Sequence, residues 1–252
     1  MKKSTLTTFI DNYNLNGLCE HARIAYSDGK LITSFQPEDT KDTLGFVAQD
    51  GIEIENIDEL GTGKLEFGVF NTSILKKVLS IMNSDISLSL IQKMGKVTAM
   101  KLSDSSYDSS LLLADLDILD EVPKLNNLPE FEIVTRIDDS FITKFLKSAN
   151  ALNDTKKVSF NYNGNTQSLQ VIFNHAEYDT DTITIEIPIE DSANASNINY
   201  LNFNLLVVKE ILSVNKGSIG MLKLSSEGLL VLQFQNEQTG STTRYVIVML
   251  NI

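Results

Sequence analysis

Few residues in this chain have the types and spacing that chemistry needs. Gly61-Thr62-Gly63-Lys64 has the outline of a phosphate-cradling loop, but such a loop needs glycine at position 58 and Ser or Thr at 65. This sequence has Asp58 and Leu65 there, and the segment reads as a surface turn. The two histidines, His21 and His175, fall in different halves of the chain, so neither a paired-histidine zinc site nor a Ser-His-Asp triad is available. Asp179 and Asp181 flank Thr180 and could touch a metal, yet a hairpin between two strands accounts for them better. Cys19 has only His21 as a basic neighbour, a poor setting for a reactive thiolate. The sequence therefore predicts no catalytic residue, no metal site and no cofactor: a protein that is not an enzyme.

The informative feature lies in the elements. Phe70-Asn71-Thr72-Ser73-Ile74-Leu75-Lys76-Lys77-Val78-Leu79-Ser80-Ile81 returns 133 positions later as Phe203-Asn204-Leu205-Leu206-Val207-Val208-Lys209-Glu210-Ile211-Leu212-Ser213-Val214. Phe, Asn, Lys, Leu and Ser recur identically, and four other positions exchange one aliphatic residue for another. A second pair agrees: Ser4 to Asn14 reads like Ser140 to Asn150, offset by 136. Two helices repeated in order at nearly one offset predict a duplicated domain. On a wheel at about 100° per residue, Phe70, Ile74, Leu75, Val78, Leu79 and Ile81 fill one half and Ser73, Lys76, Lys77 and Ser80 the other. Each helix is expected to pack on a sheet by its apolar side and to turn lysine outward.

The charge distribution sharpens this. The chain has 252 residues and a net charge of −12, which taken alone argues against nucleic acid. The four helical windows 1–16, 70–83, 139–151 and 203–216 nevertheless hold Lys2, Lys3, Lys76, Lys77, Lys144, Lys147, Lys209 and Lys216 against Asp11, Asp139 and Glu210. That is +5 within the windows and −17 elsewhere. The helices are basic and the remainder is acidic.

Between the helices run short alternating or β-branched segments, at 19–26, 64–70, 85–91, 96–103 and 110–116, then at 158–162, 168–173, 182–187, 200–203, 220–224, 229–235 and 244–249. Turn dipeptides separate several of them (Asp28-Gly29, Asn163-Gly164, Glu227-Gly228, Thr239-Gly240), which favours antiparallel sheet over a βαβ series. Residues 117–130 hold two of the four prolines and no period, and read as an extended connector. The expected organisation is an N-terminal domain over 1–118, a connector over 119–130 and a C-terminal domain over 131–252, in an α+β fold. The polar opening residues lack the apolar run of a signal peptide, no stretch of about 18 apolar residues occurs, and one cysteine suits a reducing compartment. A cytoplasmic protein without membrane contact is expected.

With the opening helix over 3–16, Phe70-Asn71 leading into Ile74-Leu75-Lys76-Lys77-Val78-Leu79, Leu201-Asn202-Phe203-Asn204-Leu205-Leu206 and the closing strand Tyr245-Val246-Ile247-Val248, the chain resembles the sliding clamps of DNA replication. The likeness is nearest to those of T-even-type bacteriophages, with proliferating cell nuclear antigen (PCNA) more distant. It spans essentially the whole chain and rests on order and spacing rather than on one signature. The resemblance implies the DNA clamp fold, with two similar domains of two helices each on antiparallel sheets. It also implies a homotrimer closing into a ring of six domains, helices lining the hole. Such a ring encircles duplex DNA without regard to sequence, is placed there by a clamp loader ATPase, tethers the replicative DNA polymerase, and in phages of this group serves late-transcription factors. The eight helix lysines would then meet DNA, as long point charges that do not lock a register. The resemblance also implies a groove for a partner peptide, formed by Leu125, Leu128 and Pro129 of the connector with Val248 and Leu250 at the last strand. Segments 110–116 and 182–187 are the expected subunit edges, with Pro188 marking one as an edge strand.

Two features depart from the family pattern. Only Met1-Lys2-Lys3 precede Ser4, too few for a full strand before the first helix, and Glu210 sits beside Lys209. The alternative carried forward is a trimeric structural protein of a virion tail or baseplate, which suits an acidic, strand-rich, tryptophan-free chain but leaves the outward lysines unexplained.

Overall fold

A computed structural model describes residues 1–60, 64–123, 127–152, 154–175, 181–190 and 195–250. The chain divides into two compact units, Met1–Pro123 with Asn236–Thr243, and Lys124–Gln235 with Arg244–Ile252. In the first, α1 (Lys3–Asn14) is followed by β1 (Ala22–Ser27), β2 (Lys30–Phe35), β3 (Thr43–Gln49) and β4 (Lys64–Val69), then α2 (Thr72–Ile81) and β5 (Ser87–Lys93), β6 (Lys96–Ser103) and β7 (Asp108–Leu112). In the second, β8 (Ile133–Ile137) leads into α3 (Asp139–Ala151), β9 (Lys157–Asn163), β10 (Ser168–Phe173), β11 (Ile183–Pro188) and β12 (Leu201–Asn204). Then come α4 (Leu205–Val214), β13 (Ile219–Ser225), β14 (Leu229–Asn236) and β15 (Ser241–Val248).

The repeated sequence reappears as repeated topology. The first unit orders strands β4-β1-β2-β3 and β5-β6-β7; the second orders β12-β9-β10-β11 and β15-β14-β13-β8. Each helix-preceding strand, β4 or β12, thus pairs antiparallel with the first strand of its own set. Strand β8 runs beside β13 from Ile133↔Leu224 to Ile137↔Gly220. Its counterpart in the first unit is a stub: Lys2 bridges Asp85, and the Lys3 amide reaches the Ser84 carbonyl at 2.8 Å.

The repeated Phe-Asn dipeptide acts as a helix start. The Asn71 side chain accepts from the Ile74 amide at 2.9 Å, and Asn204 accepts from Leu206 and Val207 at 3.1 and 3.4 Å, meeting amides that the helix leaves unpaired. In α3 the cap is Asp138, accepting from the Phe141 amide at 2.8 Å. A second cap holds α2: the Glu20 carboxylate accepts from the Ser73 amide at 2.9 Å and the Ser73 hydroxyl at 2.7 Å. Burial pushes the Glu20 carboxyl up, but the Ser73 hydrogen bonds outweigh it and hold its pKa below the ordinary value.

The cores are aromatic and aliphatic. Helix α1 buries Leu6, Phe9, Ile10 and Tyr13, and α3 buries Phe141, Ile142, Phe145 and Ala149. Phe145 meets Phe173 edge-on, with ring centroids 4.9 Å apart. The wheel reading of α2 needs correction. Only Thr72, Leu75 and Leu79 are buried, whereas Ile74 and Ile81 are 47% and 57% exposed. Its apolar arc is wider than the sheet beneath it can cover.

Strands β2, β3 and β8 are absent from the sequence reading, and the first two have a physical reason. The inward side of β2 carries Thr33, whose hydroxyl donates to the Arg23 carbonyl at 2.7 Å, so a polar residue occupies an interior position. In β3 the buried positions include Thr43, Gly45 and Gln49, while Leu44 and Phe46 are only half-buried. Gly45 is required there because a Cβ would overlap the Phe35 ring. In β3 polar and small residues inside invert the alternation that marks a strand, and in β2 Thr33 interrupts it between Leu31 and Phe35.

Two outcomes test this packing. At Gly220 an added Cβ would stand 2.6 Å from the Phe234 ring and 2.8 Å from Ile137, so Gly220→Ala should cost about 1–3 kcal/mol, read as a lower urea midpoint. An unchanged midpoint would mean that β13 is packed differently. Because the folded pKa of Glu20 is depressed, its contribution is present above the unfolded carboxylate value of about 4.3 and lost as pH falls below it. Glu20→Gln should lower stability at neutral pH and make its acid decline shallower.

Candidate nucleic-acid face

The eight helix lysines divide into two groups. Lys2 and Asp85 form an ion pair at 2.6 Å, which pulls the Asp85 carboxyl below its usual range. The Lys3 ammonium donates to the Met82 carbonyl at 2.6 Å, beyond the end of α2. Lys76 pairs with Asp11 of α1 at 2.7 Å, both side chains about one-third exposed, and reaches the Asn14 side-chain oxygen at 3.4 Å. Its ammonium thus joins α1 to α2. The spacing Asp11, Asn14, one helical turn apart, places both acceptors on one side of α1.

The remaining five are otherwise placed. Lys77, Lys144, Lys147 and Lys216 are exposed and Lys209 is half-buried. Among the described residues none of these five takes part in an ion pair. Lys144 and Lys147 are three residues apart on α3, neighbours on one helical face. Lys216 follows the end of α4, where a cation complements the negative end of the helix. Two acids at the start of α3 are used elsewhere: Asp138 caps α3, and Asp139 accepts from the Gly217 amide at 3.0 Å, fastening the start of α3 to the turn after α4. The lysine signal was legible in sequence; the Asp11, Asp85 and Met82 partners were not.

The residues expected to receive a partner peptide have mixed placements. Leu125 lies outside the described residues. Leu128, Pro129 and Leu250 are half-buried, and Val248 is 45% exposed. The Leu250 amide donates to the Asn202 carbonyl at 2.8 Å, so backbone bonding continues past the end of β15.

A feature that sequence reasoning missed is an apolar cavity of about 540 Å³ in the first unit, lined by Phe70, Ile74, Met100, Leu112 and Ile118. Leu112, at the end of β7, is 89% exposed, and Phe70 is 53% exposed. The exposed Ile74 and Ile81 belong to the same helix. Strands β7 and β11 end their sheets, each with a neighbour on one side in the strand order of the described residues.

Burial pushes the Cys19 thiol up to about 12, against the thiolate a nucleophile needs. His21 stacks on Phe70 with centroids 4.3 Å apart, and its Nδ1 lies 2.5 Å from the Phe70 carbonyl oxygen; His175 stacks on Tyr200 at 4.1 Å. Asp181 is exposed, while Asp179 and Gly61-Thr62-Gly63 lie outside the described residues. Among the described residues no group of three metal-ligating side chains occurs, and no helix is long and apolar enough to cross a membrane.

No protein-family model matches this chain, and no curated protein matches it. Solved structures do. The chain is similar to A. fulgidus PCNA, in a structure with the C-terminal region of FEN-1 bound, with TM-score 0.76 and 16% identity over 100% of this chain and 97% of that one. It is similar to PCNA of Entamoeba histolytica, with TM-score 0.72 and 15% identity over 99% and 96%. A chain of the PCNA2–PCNA3 complex of Sulfolobus tokodaii gives 0.71 and 15% over 99% and 97%. At such identities the likeness establishes the fold: over its whole length the chain has the PCNA-like clamp fold.

Proposed function

We propose that this protein is a sliding clamp, a non-enzymatic ring that encircles duplex DNA and tethers the replicative polymerase for processive synthesis. The observation that carries the reading is the repeated pair of helices, of which α2 and α3 bear exposed lysines (Lys77, Lys144 and Lys147), in a chain of net charge −12. Duplex DNA carries a charge about every 1.7 Å of its axis, so a modestly positive lining holds it without fixing position. An acidic exterior repels it from every other face.

A chain with two such units closes a ring of six by threefold symmetry, through head-to-tail contacts. The edges β7 and β11 suit that contact, β7 of one chain beside β11 of the next, with Ile74, Ile81 and Leu112 buried alongside. The connector region with Leu128, Pro129, Val248 and Leu250, together with Leu125, takes an apolar partner peptide, the polymerase's among them. A clamp loader ATPase places the ring on DNA in the cytoplasm, that of the bacterial host if the chain is phage-encoded. The affiliation with T-even-type phage clamps, and with it a role beside late-transcription factors, rests on the helix phrases at 70–81 and 201–206. A virion structural trimer would give the exposed lysines no task.

Two measurements test this reading. Burying Ile81 and Leu112 is worth about 1.5–3 kcal/mol each, so Ile81→Glu with Leu112→Glu should break the trimer. Light scattering should fall from three times 28.0 kDa to one chain mass; an unchanged mass would reject this interface. With a loader ATPase and ATP, the protein should stay on closed circular DNA and run off the same DNA once linearised. Equal retention on both would contradict encirclement.

A further inference from the structure

Within the clamp reading, on which this rests, we propose that the chain meets the phosphates almost wholly through its second unit. Lys144, Lys147 and Lys216, with Lys209, make the contacts, while Lys3 and Lys76 join elements of the first unit and Lys2 is paired at the surface with Asp85. The sequence repeat suggests two equivalent cationic faces per chain, but the structure treats them differently. In the first unit, carboxylates are spent on lysines: Asp11 on Lys76 at 2.7 Å and Asp85 on Lys2 at 2.6 Å. The Lys3 ammonium is committed to the Met82 carbonyl at 2.6 Å and stands near Asp104, whose carboxylate accepts from three backbone amides. Of the first unit's helix lysines, Lys77 alone is exposed without an ion pair among the described residues. The outer side of α1 otherwise offers hydroxyls, Ser4, Thr7 and Thr8.

In the second unit the two acids at the start of α3 are spent on backbone amides instead. Asp138 holds the Phe141 amide and Asp139 the Gly217 amide, and among the described residues Lys144, Lys147 and Lys216 enter no ion pair. A lysine already matched by a carboxylate at 2.6–2.7 Å adds little net field toward a phosphate, whereas an uncommitted one adds its full charge. Three chains would then present three strong and three weak stretches of lining, a threefold potential in place of a sixfold one.

The test is the salt dependence of binding to a short fluorescent duplex, followed by anisotropy with the intact trimer. Each phosphate that a lysine neutralises contributes about 0.9 to the slope of log K against log salt. Lys144→Gln with Lys147→Gln should lower the slope by about 0.9 for each phosphate no longer neutralised, and the matched pair Lys76→Gln with Lys77→Gln should lower it less. Asp11→Asn supplies a readout that a purely structural role would not move: it frees the Lys76 ammonium and should steepen the slope. A slope reduced equally in the Lys76, Lys77 pair and in the Lys144, Lys147 pair, or unchanged in Asp11→Asn, overturns the assignment. Blocking both duplex ends with streptavidin separates this from failure of the clamp itself. A ring threads only free ends, so equal binding of blocked duplex by the unmutated protein would reject encirclement, whatever the slopes.

Discussion

The apolar side of each helix must leave water, and that requirement organises the rest. In α3 and α4 it consumes Phe141, Ile142 and Phe145, then Leu205, Val208 and Ile211, each buried within the second unit. At about 25 cal/mol per Å² of apolar surface, no plausible gain from surface charge competes with turning these residues inward. The opposite faces are therefore obliged to be solvent-facing, and the residues there can be chosen for charge alone. Lysine at Lys144 and Lys147 is the choice the sequence makes. A chain rich in acid then has one kind of surface that a polyanion can approach.

Duplication supplied the same scaffold twice and let the copies diverge. Asn71 and Asn204 cap their helices in the same way, yet the phenylalanines before them differ. Phe203 is buried and meets Phe160 edge-on at 5.6 Å, while Phe70 remains exposed, stacked on His21. The first copy has given up part of its covered surface, and Ile74, Ile81 and Leu112 remain in the open around it. Apolar area held exposed at that density is costly to solubility unless another chain covers it, and a second copy of this chain presents the free edge of β11. Lys76 and Lys209 diverge as well: one joins two helices through Asp11, and the other has Glu210 as its successor.

How much could be read beforehand follows from what governs each feature. Helices were legible because their periodicity is a one-dimensional record of which side is buried, and the Phe-Asn repeat fixed their starts within two residues. Strands with clean alternation, such as β1, were legible for the same reason. Strands β2 and β3 were not, since Thr33, Gly45 and Gln49 face inward for reasons held in their neighbours: the Arg23 carbonyl, the Phe35 ring and the Thr239 carbonyl. The lysines could be found by composition, but a count of charges cannot reveal that Asp11 or Asp85 lies across a gap of many residues. The cavity at Phe70 and Ile74 was hidden because the wheel assigns one apolar arc to one partner, and this arc serves two.

The claim on which all of this turns is that the exposed helix faces surround DNA in a closed assembly. Single-particle electron microscopy of the protein bound to a duplex tests it most directly. The expected image is three chains closed about the duplex, with α3 nearest the phosphates and the free sheet edges joined between neighbours. Duplex lying against a sheet face, or an assembly without a central passage, would contradict it.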